Sequence, residues 1–171
     1  MIGVRTIDLG QDPAADARAL RDAFGCFTTG VTIVTTLNGD RPVGFTVNSF
    51  ASVSLDPPLA LVCVGLTASS LPALEASGVF VVNVLHVDQQ ALARQFTRKD
   101  GDRFEGVAPE TWRTGAPVLP GCMANFECET HTSFDAGDHR VFVGKVLRVR
   151  CDAGHEPLVF LRGGYRKVHT D

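Results

Sequence analysis

An excess of positive charge and long apolar runs are both missing from this sequence, and each absence excludes a class of protein. The formal net charge of the 171 residues is −3, so no basic field is available to attract nucleic acid or an anionic membrane surface. Glycine, proline or polar residues interrupt every apolar stretch before it reaches the length of a membrane span. The N-terminus carries Arg5, Asp8 and Asp12 and lacks the apolar centre of a secretion signal. We therefore expect a soluble protein with neither nucleic acid nor a membrane as its partner.

The cysteine and histidine patterns of disulfide frameworks and zinc sites are also absent. The five cysteines are odd in number and scattered along the chain, which indicates reduced thiols in the cytoplasm rather than a set of disulfides. No two cysteines have C-x-x-C spacing, and none of the five histidines belongs to an H-E-x-x-H arrangement. We therefore expect no bound metal.

Signatures of the common nucleotide-binding and hydrolytic folds are missing too. The chain contains neither G-x-G-x-x-G nor G-x-x-x-x-G-K-[ST], the glycine-rich loops that hold phosphates in many proteins. It also lacks G-x-S-x-G, the nucleophile turn of many serine hydrolases. Any anionic ligand must therefore be held by local donors, such as backbone N–H groups and single cationic side chains.

The elements that the sequence does contain are mostly short strands. Residues 31–37 are largely β-branched and alternate, and Asn38-Gly39 after them is typical of a tight hairpin turn, since both residues tolerate positive φ. The proline pair at 57–58 separates two strand segments, because it cannot lie within a central ladder. Strands are predicted at residues 31–37, 44–48, 50–54, 59–64, 79–85, 125–134, 141–151, 158–161 and 165–168.

Helices are few in the predicted pattern. One is predicted at residues 16–27, with Asp16 as its N-cap and Gly25 as an early end; others are predicted at 69–76 and at 88–96, the last opened by an acidic cap. Residues 97–115 lack a period and predict a long surface loop. This composition of elements predicts a mainly β fold, a barrel or sandwich. We assign residues 1–15 to a flexible lead-in and residues 16–171 to one domain.

One polar segment, TVNSFASVS at residues 46–54, is the best candidate for ligand binding. Composition alone favours a plain strand pair whose polar residues alternate outward. Yet Thr46, Asn48, Ser52 and Ser54 present short donors and acceptors beside exposed backbone. Such a surface would suit the edge of a flavin ring, whose carbonyls and nitrogens need hydrogen bonds at fixed places. From the residues alone, both interpretations stay open.

Six segments of the chain, taken in order, resemble the flavin reductase-like family, the small reductase components of two-component flavin monooxygenases. The resemblance covers residues 24–166, and it is specific because the order and the spacing of the segments match as well. The segments are FGCFTTGVTIVTT (24–36), GFTVNSFASVSLDPPL (44–59), SGVFVVNVL (77–85), DRFEG (102–106), GDHRVFVGKV (137–146) and RGGYR (162–166).

The resemblance implies a split β-barrel of the FMN-binding type, usually a homodimer with FAD or FMN near the subunit interface. It also implies that the serines after strand 59–64 hold the flavin phosphate at the start of a helix, where free N–H groups favour an anion. A plain helix N-cap explains these serines equally well, and packing explains Phe104 as well as flavin contact does. The candidate flavin-binding residues are Thr29, Gly30, Thr46, Val47, Asn48, Ser49, Ser52, Val53, Ser69, Ser70 and Phe104.

For NADH or NADPH, the resemblance implies a site bordered by the GDH and RGGYR segments. His139 is assigned to positioning the nicotinamide, with an ordinary hairpin residue as the plain alternative. An arginine of RGGYR would pair with the pyrophosphate. The chain departs from the family at Gly164, where relatives often carry a larger residue, and at Thr28, where they more often carry alanine. The candidate residues for this nucleotide are His139, Arg162, Gly163, Tyr165 and Arg166.

The implied activity is hydride transfer from NAD(P)H to FAD or FMN, after which the reduced flavin diffuses to a partner monooxygenase. Such a reaction requires ring stacking and hydrogen bonds to the flavin, and we expect neither a nucleophile nor an obligatory general base. Two alternatives remain open: a split-barrel flavin enzyme with a different acceptor, and a non-enzymatic flavin-binding module. The sequence does not decide between FAD and FMN or between NADH and NADPH.

Overall fold

The fold, taken from a computed structural model that describes Val4 and residues 6–168, is mainly β, as the sequence predicts. Residues 1–3, Arg5 and residues 169–171, which include His169, lie outside the described residues. The helices are α1 (Pro13–Phe24), α2 (Leu71–Ser77) and α3 (Gln90–Gln95), the last preceded by a 3₁₀ turn (Val87–Gln89). The strands are β1 (Thr29–Gly30), β2 (Thr32–Asn38), β3 (Arg41–Val47), β4 (Ala51–Leu55), β5 (Pro58–Gly65), β6 (Val79–Val84), β7 (Glu110–Thr111), β8 (Pro117–Val118), β9 (Ala124–Ala136), β10 (His139–Cys151), β11 (Val159–Leu161) and β12 (Gly164–Arg166).

Helix α1 begins earlier than predicted, so the assignment of Asp16 as its N-cap is wrong. Asp12 is the N-cap, and its carboxylate accepts hydrogen bonds from two amide N–H groups of the first turn, at 3.0 and 3.2 Å. Pro13 follows as the first helical residue, where its fixed φ suits the helix and its missing N–H is not needed. The early end at Gly25 is confirmed, since Gly25 is the C-cap.

For the other two helices, the sequence pattern predicts the end of α2 correctly and the start of the third helix wrongly. Gly78 ends α2 in the left-handed conformation, with φ of +64°, as expected of a glycine at that position. The predicted acidic cap of the third helix is wrong. His86 is the N-cap of the 3₁₀ turn that precedes α3: its Nδ1 accepts from the Asp88 N–H at 3.3 Å, and the Gln89 side chain accepts from the His86 N–H at 3.2 Å. The N-cap of α3 itself is Gln89, which makes no side-chain capping hydrogen bond.

Seven strands form one antiparallel sheet in the order β3-β2-β6-β9-β10-β5-β4. The hairpin predicted at Asn38-Gly39 joins β2 to β3, with Asn38 opposite Arg41. A second hairpin joins the two longest strands, β9 and β10, with Ala136 opposite His139. Strand β10 then pairs along its first half with β5, so that His139 lies opposite Gly65.

The sheet must curl back on itself, because its two outer strands are nearly consecutive in the chain. Strands β3 and β4 are separated by residues 48–50 alone, a connection that spans at most about 14 Å. A flat sheet of seven strands would hold its edges about 29 Å apart, at roughly 4.8 Å per strand. Ser49 lies in this connection and bridges to β5, donating to the Cys63 carbonyl and accepting from the Cys63 N–H, both at 3.0 Å.

Apolar side chains fill the inside of the curled sheet, and a buried polar network ties a loop to its other face. Val34, Phe80 and Phe142 belong to the largest buried cluster. On the opposite side of β9, the Asn125 amide donates to the Asn83 side chain at 2.8 Å and to the Leu119 carbonyl at 3.1 Å. Since buried amides are costly unless paired, these bonds fix the position of the loop that carries β8.

The loop predicted over residues 97–115 contains the short strand β7 and is only partly at the surface. The N–H and hydroxyl of Thr114 donate to the fully buried Glu127 carboxylate at 2.7 and 2.9 Å. Trp112 packs against the guanidinium groups of Arg148 and Arg150, whose centres lie 5.4 and 5.2 Å from its ring. The predicted long surface loop therefore leaves the surface at its end, where a buried carboxylate needs hydrogen-bond donors.

Candidate functional site

A cleft of about 650 Å³ opens beside the connection between β3 and β4 and brings distant parts of the chain together. The volume falls within the range usual for sites that bind small molecules and cofactors. Three groups of predicted residues line it: the end of β3 and the residue pair after it, the residues before α2, and the start of β10. The predicted residues in the lining are Thr46, Val47, Asn48, Ser49, Ser69, Ser70 and His139.

The β3 wall of the cleft combines side chains that hold the fold together with one that remains available to a ligand. The Thr46 hydroxyl donates to the Ala93 carbonyl at 2.7 Å, and the Ser49 hydroxyl is occupied by Cys63. Asn48 donates one hydrogen bond, to the Thr29 hydroxyl at 3.3 Å, and is exposed. Its carbonyl oxygen and second N–H therefore remain for a ligand.

The helix α2 side of the cleft carries two serines in different settings. Ser70 is buried and is the N-cap of α2, but its side chain makes no capping hydrogen bond. Ser69 precedes it and is exposed. Ser70 therefore occupies the N-cap position without the side-chain hydrogen bond of a plain N-cap. The exposed hydroxyl of Ser69 lines the same cleft.

His139, at the start of β10, lines the cleft, and its neighbour fixes the orientation of its ring. The Nδ1 atom of His139 is 2.6 Å from the Asp138 carboxylate, and the imidazole is about half exposed. The hydrogen bond from this imidazole lowers the pKa of Asp138 below its ordinary value. With Nδ1 paired to the carboxylate, Nε2 is the ring nitrogen left for a ligand.

An ion-paired arginine links the His139 hairpin to helix α2. The side chain of Arg140 donates to Asp135 on β9 at 2.6 Å and is also paired with Glu75 on α2. The residue next to His139 is thus joined to the helix that follows Ser69 and Ser70. Two walls of the cleft are therefore connected to each other by side chains as well as through the sheet.

A smaller depression of about 160 Å³ adjoins the cleft and shares Thr46, Val47 and Asn48 with it. Tyr165 on β12 lines its far side, together with Phe160 on β11. The guanidinium of Arg94, on α3, lies 5.6 Å from the centre of the Tyr165 ring. The structure thus brings the tyrosine of the RGGYR segment to the residues at and just after the end of β3 that line the cleft.

Comparison with known proteins identifies the family. The sequence model of the flavin reductase-like domain matches residues 24–169. This chain belongs to the flavin reductase-like family. It is 45% identical over 150 residues to the FMN reductase (NADH) of Agrobacterium fabrum, covering 88% of this chain and 85% of that protein. It is 41% identical to the reductase subunit of a flavin-dependent monooxygenase from Rhodococcus jostii, covering 92% of this chain and 81% of that protein.

The fold of this flavin reductase-like chain agrees with that of solved relatives. An NADH:FAD oxidoreductase from Streptomyces globisporus, solved in complex with NAD and FAD fragments, superposes with a TM-score of 0.89 at 37% identity. The match covers 98% of this chain and 99% of that one. The split-barrel prediction is confirmed. None of the helices in the described part of the chain combines the length and the apolarity needed to cross a membrane.

Several predicted site residues lie outside the cleft lining of this family member. Ser52 and Val53 are on the exposed outer strand β4. Phe104 packs edge-on against Phe96, with ring centres 4.9 Å apart, and Phe96 is the phenylalanine of this pair that lines the cleft. The guanidinium of Arg166 donates to the Tyr165 carbonyl at 2.9 Å.

The start of the RGGYR segment lies in a different depression, of about 590 Å³, near the end of α1. Arg162 and Gly163 line it together with Arg21 and Cys26, and the Arg162 N–H donates to the Gly25 carbonyl at 2.8 Å. The segment is therefore divided: Tyr165 is beside the cleft, whereas Arg162 and Gly163 are not among the residues that line it. Gly30 forms part of β1, where it lies opposite Val159.

Two cations of the cleft were missed by sequence reasoning. Lys99 and Arg103, from the loop after α3, line the cleft together with the hydroxyl-bearing residues of β3 and of the segment before α2. Arg103 lies within DRFEG, the segment that drew attention to Phe104, so the signal was present but assigned to the neighbouring residue. Arg103 and Phe104 are neighbours on a loop, and the sequence alone does not indicate which of the two side chains faces a cavity.

Proposed function

We propose that this chain is an NAD(P)H-dependent flavin reductase that transfers hydride from NADH or NADPH to FAD or FMN. The observation that carries the proposal is the single cleft that joins Asn48, Ser69 and His139 from three separate segments. Membership of the flavin reductase-like family supports it, as do the flavins and NADH named for its relatives. The chain is therefore an oxidoreductase.

The residues of the cleft fit a flavin. The free amide atoms of Asn48 and the exposed backbone after β3 offer donors and acceptors for the edge of a polar ring. The hydroxyl of Ser69 and the cations of Lys99 and Arg103 suit a phosphate. When bound, the flavin supplies the hydride acceptor, and the reduced nicotinamide supplies the hydride.

Positioning is the chemical task left to the protein. We assign His139 to orienting the nicotinamide through its Nε2 side, with Asp138 holding the ring from Nδ1. Tyr165, on the adjoining depression, is assigned to the same nucleotide, and Arg162, Gly163 and Arg166 remain proposed contacts for its outer part. Since hydride transfer requires only that the two rings be held together in a fixed orientation, no side chain need act as nucleophile or base.

The proposal extends to the partners and the location of the enzyme. The sequence similarity of this chain to the reductase subunit of a flavin-dependent monooxygenase supports transfer of reduced flavin to a monooxygenase. A homodimer is proposed because the outer strand β4 is exposed along most of its length, including Val53 and Leu55. A second copy over β4 would bring Ser52 and Val53 near a flavin. The five unpaired cysteines support a location in the reducing cytoplasm.

A steady-state assay tests the activity directly. Oxidation of NADH and of NADPH is followed by loss of the nicotinamide absorbance, each with FAD, FMN and riboflavin as acceptor. Without oxygen, we expect one nicotinamide oxidised for each flavin bleached. Tight flavin binding without NAD(P)H oxidation would identify a non-enzymatic binding module. Oxidation of NAD(P)H only with an added iron chelate or cobalamin would identify a flavin enzyme with a different acceptor.

A further inference from the structure

A second depression adjoins the cleft along the outer strand β3 and remains unused by the proposed function. Its volume is about 510 Å³, comparable to that of the cleft itself. Arg103 is common to the linings of both, so this residue marks the boundary between them. The lining residues are Arg41, Pro42, Gly44, Gly101, Asp102, Arg103 and Phe104.

Arg103 is held rigidly at this boundary, and its charge is not neutralised by a carboxylate. Its Nη1 donates to the Gly44 carbonyl at 2.8 Å, and its Nε donates to the Arg98 carbonyl at 2.7 Å. Within the described part of the chain, it forms no ion pair with a carboxylate within 4 Å. A guanidinium has five N–H donors, so donors remain for an anion that passes from one depression to the other.

A second cation and an aromatic ring lie beyond this boundary. Arg41 begins β3 and is exposed, and among the described residues it also forms no ion pair. Phe104 is half-buried and lines the same depression. Among the described residues, Asp102 is the one carboxylate in the lining, and its Oδ1 accepts from the Phe104 N–H at 2.9 Å. The depression therefore combines a net positive charge with an aromatic surface, as an adenine nucleotide requires.

We propose that this depression binds the adenosine phosphate half of FAD, so that the enzyme binds FAD more tightly than FMN. The inference rests on the proposed flavin site in the cleft. A mononucleotide in the cleft would leave the second depression unfilled. Arg103 and Arg41 would hold the second phosphate of FAD, and Phe104 would contact the adenine. Arg41 is thereby a specificity residue for the flavin and has no role in the hydride transfer.

The test measures flavin affinity without the nicotinamide nucleotide. Dissociation constants for FAD and FMN are determined by titrating flavin fluorescence in the wild-type protein, Arg41→Ala and Arg41→Lys. Arg113→Ala, which removes a cation that lines neither the cleft nor this depression, is the matched control. We expect Arg41→Ala to weaken FAD binding about fivefold, the size of one exposed charge-assisted contact, and to leave FMN binding unchanged. Arg41→Lys should restore part of the loss.

Each other outcome counts against the inference. Equal losses for FAD and FMN, or no loss for FAD, would overturn it. A raised KM for NADH with unchanged FAD affinity would assign the depression to the nicotinamide nucleotide and would overturn it as well. This test is independent of the test of the proposed activity. A protein that binds flavin but fails to oxidise NAD(P)H would refute the reductase activity. The ratio of the dissociation constants for FAD and FMN would still decide the role of Arg41.

Discussion

At the scale of single residues, the paired His139 and Asp138 give the sharpest expectation for the site. The carboxylate accepts from Nδ1 at 2.6 Å, so the ring presents Nε2 in a fixed direction. A residue that only positions one substrate changes the affinity for that substrate and leaves the other binding step intact. His139 should therefore affect NAD(P)H and spare the flavin.

We expect His139→Ala to raise the KM for NADH about tenfold, the loss of one well-placed contact, while the Kd for flavin changes less than about twofold. Asp138→Asn should give a smaller increase, because an amide oxygen still accepts from Nδ1 but carries no charge. His131→Ala, on the exposed part of β9, is the control. Unchanged NAD(P)H kinetics in His139→Ala would refute the assignment.

The cysteines should differ sharply in reactivity because burial acts on their protonation. Burial raises the pKa of Cys122 to about 11 and that of Cys128 to about 12, whereas Cys26 and Cys151 are exposed. Only the thiolate reacts with an alkylating reagent. A raised pKa depletes the thiolate at every pH below it, so native protein at about pH 8 should be alkylated at Cys26 and Cys151 and spared at the two buried thiols.

Mass spectrometry after iodoacetamide treatment measures this difference. Cys122 and Cys128 should become modified only when the protein is denatured, and raising the pH by about one unit should not make them reactive. Modification of Cys128 in the native state at the same rate as Cys151 would contradict its buried position.

At the scale of elements, strand β3 packs closely against the rings of Phe96 and Phe104 and depends on a glycine to do so. A Cβ atom at Gly44 would lie 2.5 Å from the Phe96 ring and 3.2 Å from that of Phe104. Phe96 is almost completely buried and also lines the cleft, so it has little room to move. The close approach of β3 to this pair of rings therefore requires the absence of a side chain.

Gly44→Ala should lower the free energy of unfolding by about 1–3 kcal/mol, the usual effect of adding a methyl group to a filled core. Gly30→Ala is the matched control for stability, because no atom lies within 4 Å of the place that its Cβ would take and its φ is not positive. Urea unfolding followed by circular dichroism measures both variants. Equal stability of the two would show that the phenylalanine pair adjusts freely.

Element by element, the sequence predicted strands better than helix ends. Alternation in residues 31–37 and the Asn38-Gly39 turn give a local signal, and the strand and hairpin were found with shifts of one residue. The caps at Asp16 and Asp88 were wrong because several acceptors stand near each helix start. Asp12 caps α1, and His86 caps the 3₁₀ turn before α3; local pattern does not rank such competing acceptors.

At the scale of the whole molecule, the exposed outer strand β4 predicts association of two chains. Leu55 is 95% exposed and Val53 is 46% exposed, and an outer strand offers unpaired backbone groups to another molecule. Leu55→Glu should shift the protein from dimer to monomer in sedimentation velocity without lowering its thermal stability as a monomer, since the side chain contacts little within one chain.

Val149→Glu is the control for this experiment, because it places the same charge at an exposed apolar residue on β10, away from the outer strand. A monomeric wild-type protein, or a dimer that survives Leu55→Glu and dissociates in Val149→Glu, would contradict the proposed interface.

The sequence by itself determined the class of fold, the family and three of the segments that line the cleft. Its alternation specifies which side of each strand is buried, and the six segments carry the resemblance. Only the tertiary structure decided which residues of those segments share one cavity. Asn48, Ser69 and His139 meet because β10 pairs with β5 and the sheet curls until the end of β3 reaches β5.

Because of the same long-range pairing, other predicted site residues do not line the cleft. Arg162 lies near the end of α1, and Phe104 packs on Phe96, while the unnoticed Lys99 and Arg103 line the cavity. Residues that are adjacent in the chain belong to the same sequence motif, but their side chains point in different directions in the folded loop. Residue type and order are properties of the sequence, whereas the direction of each side chain results from contacts between residues far apart in it.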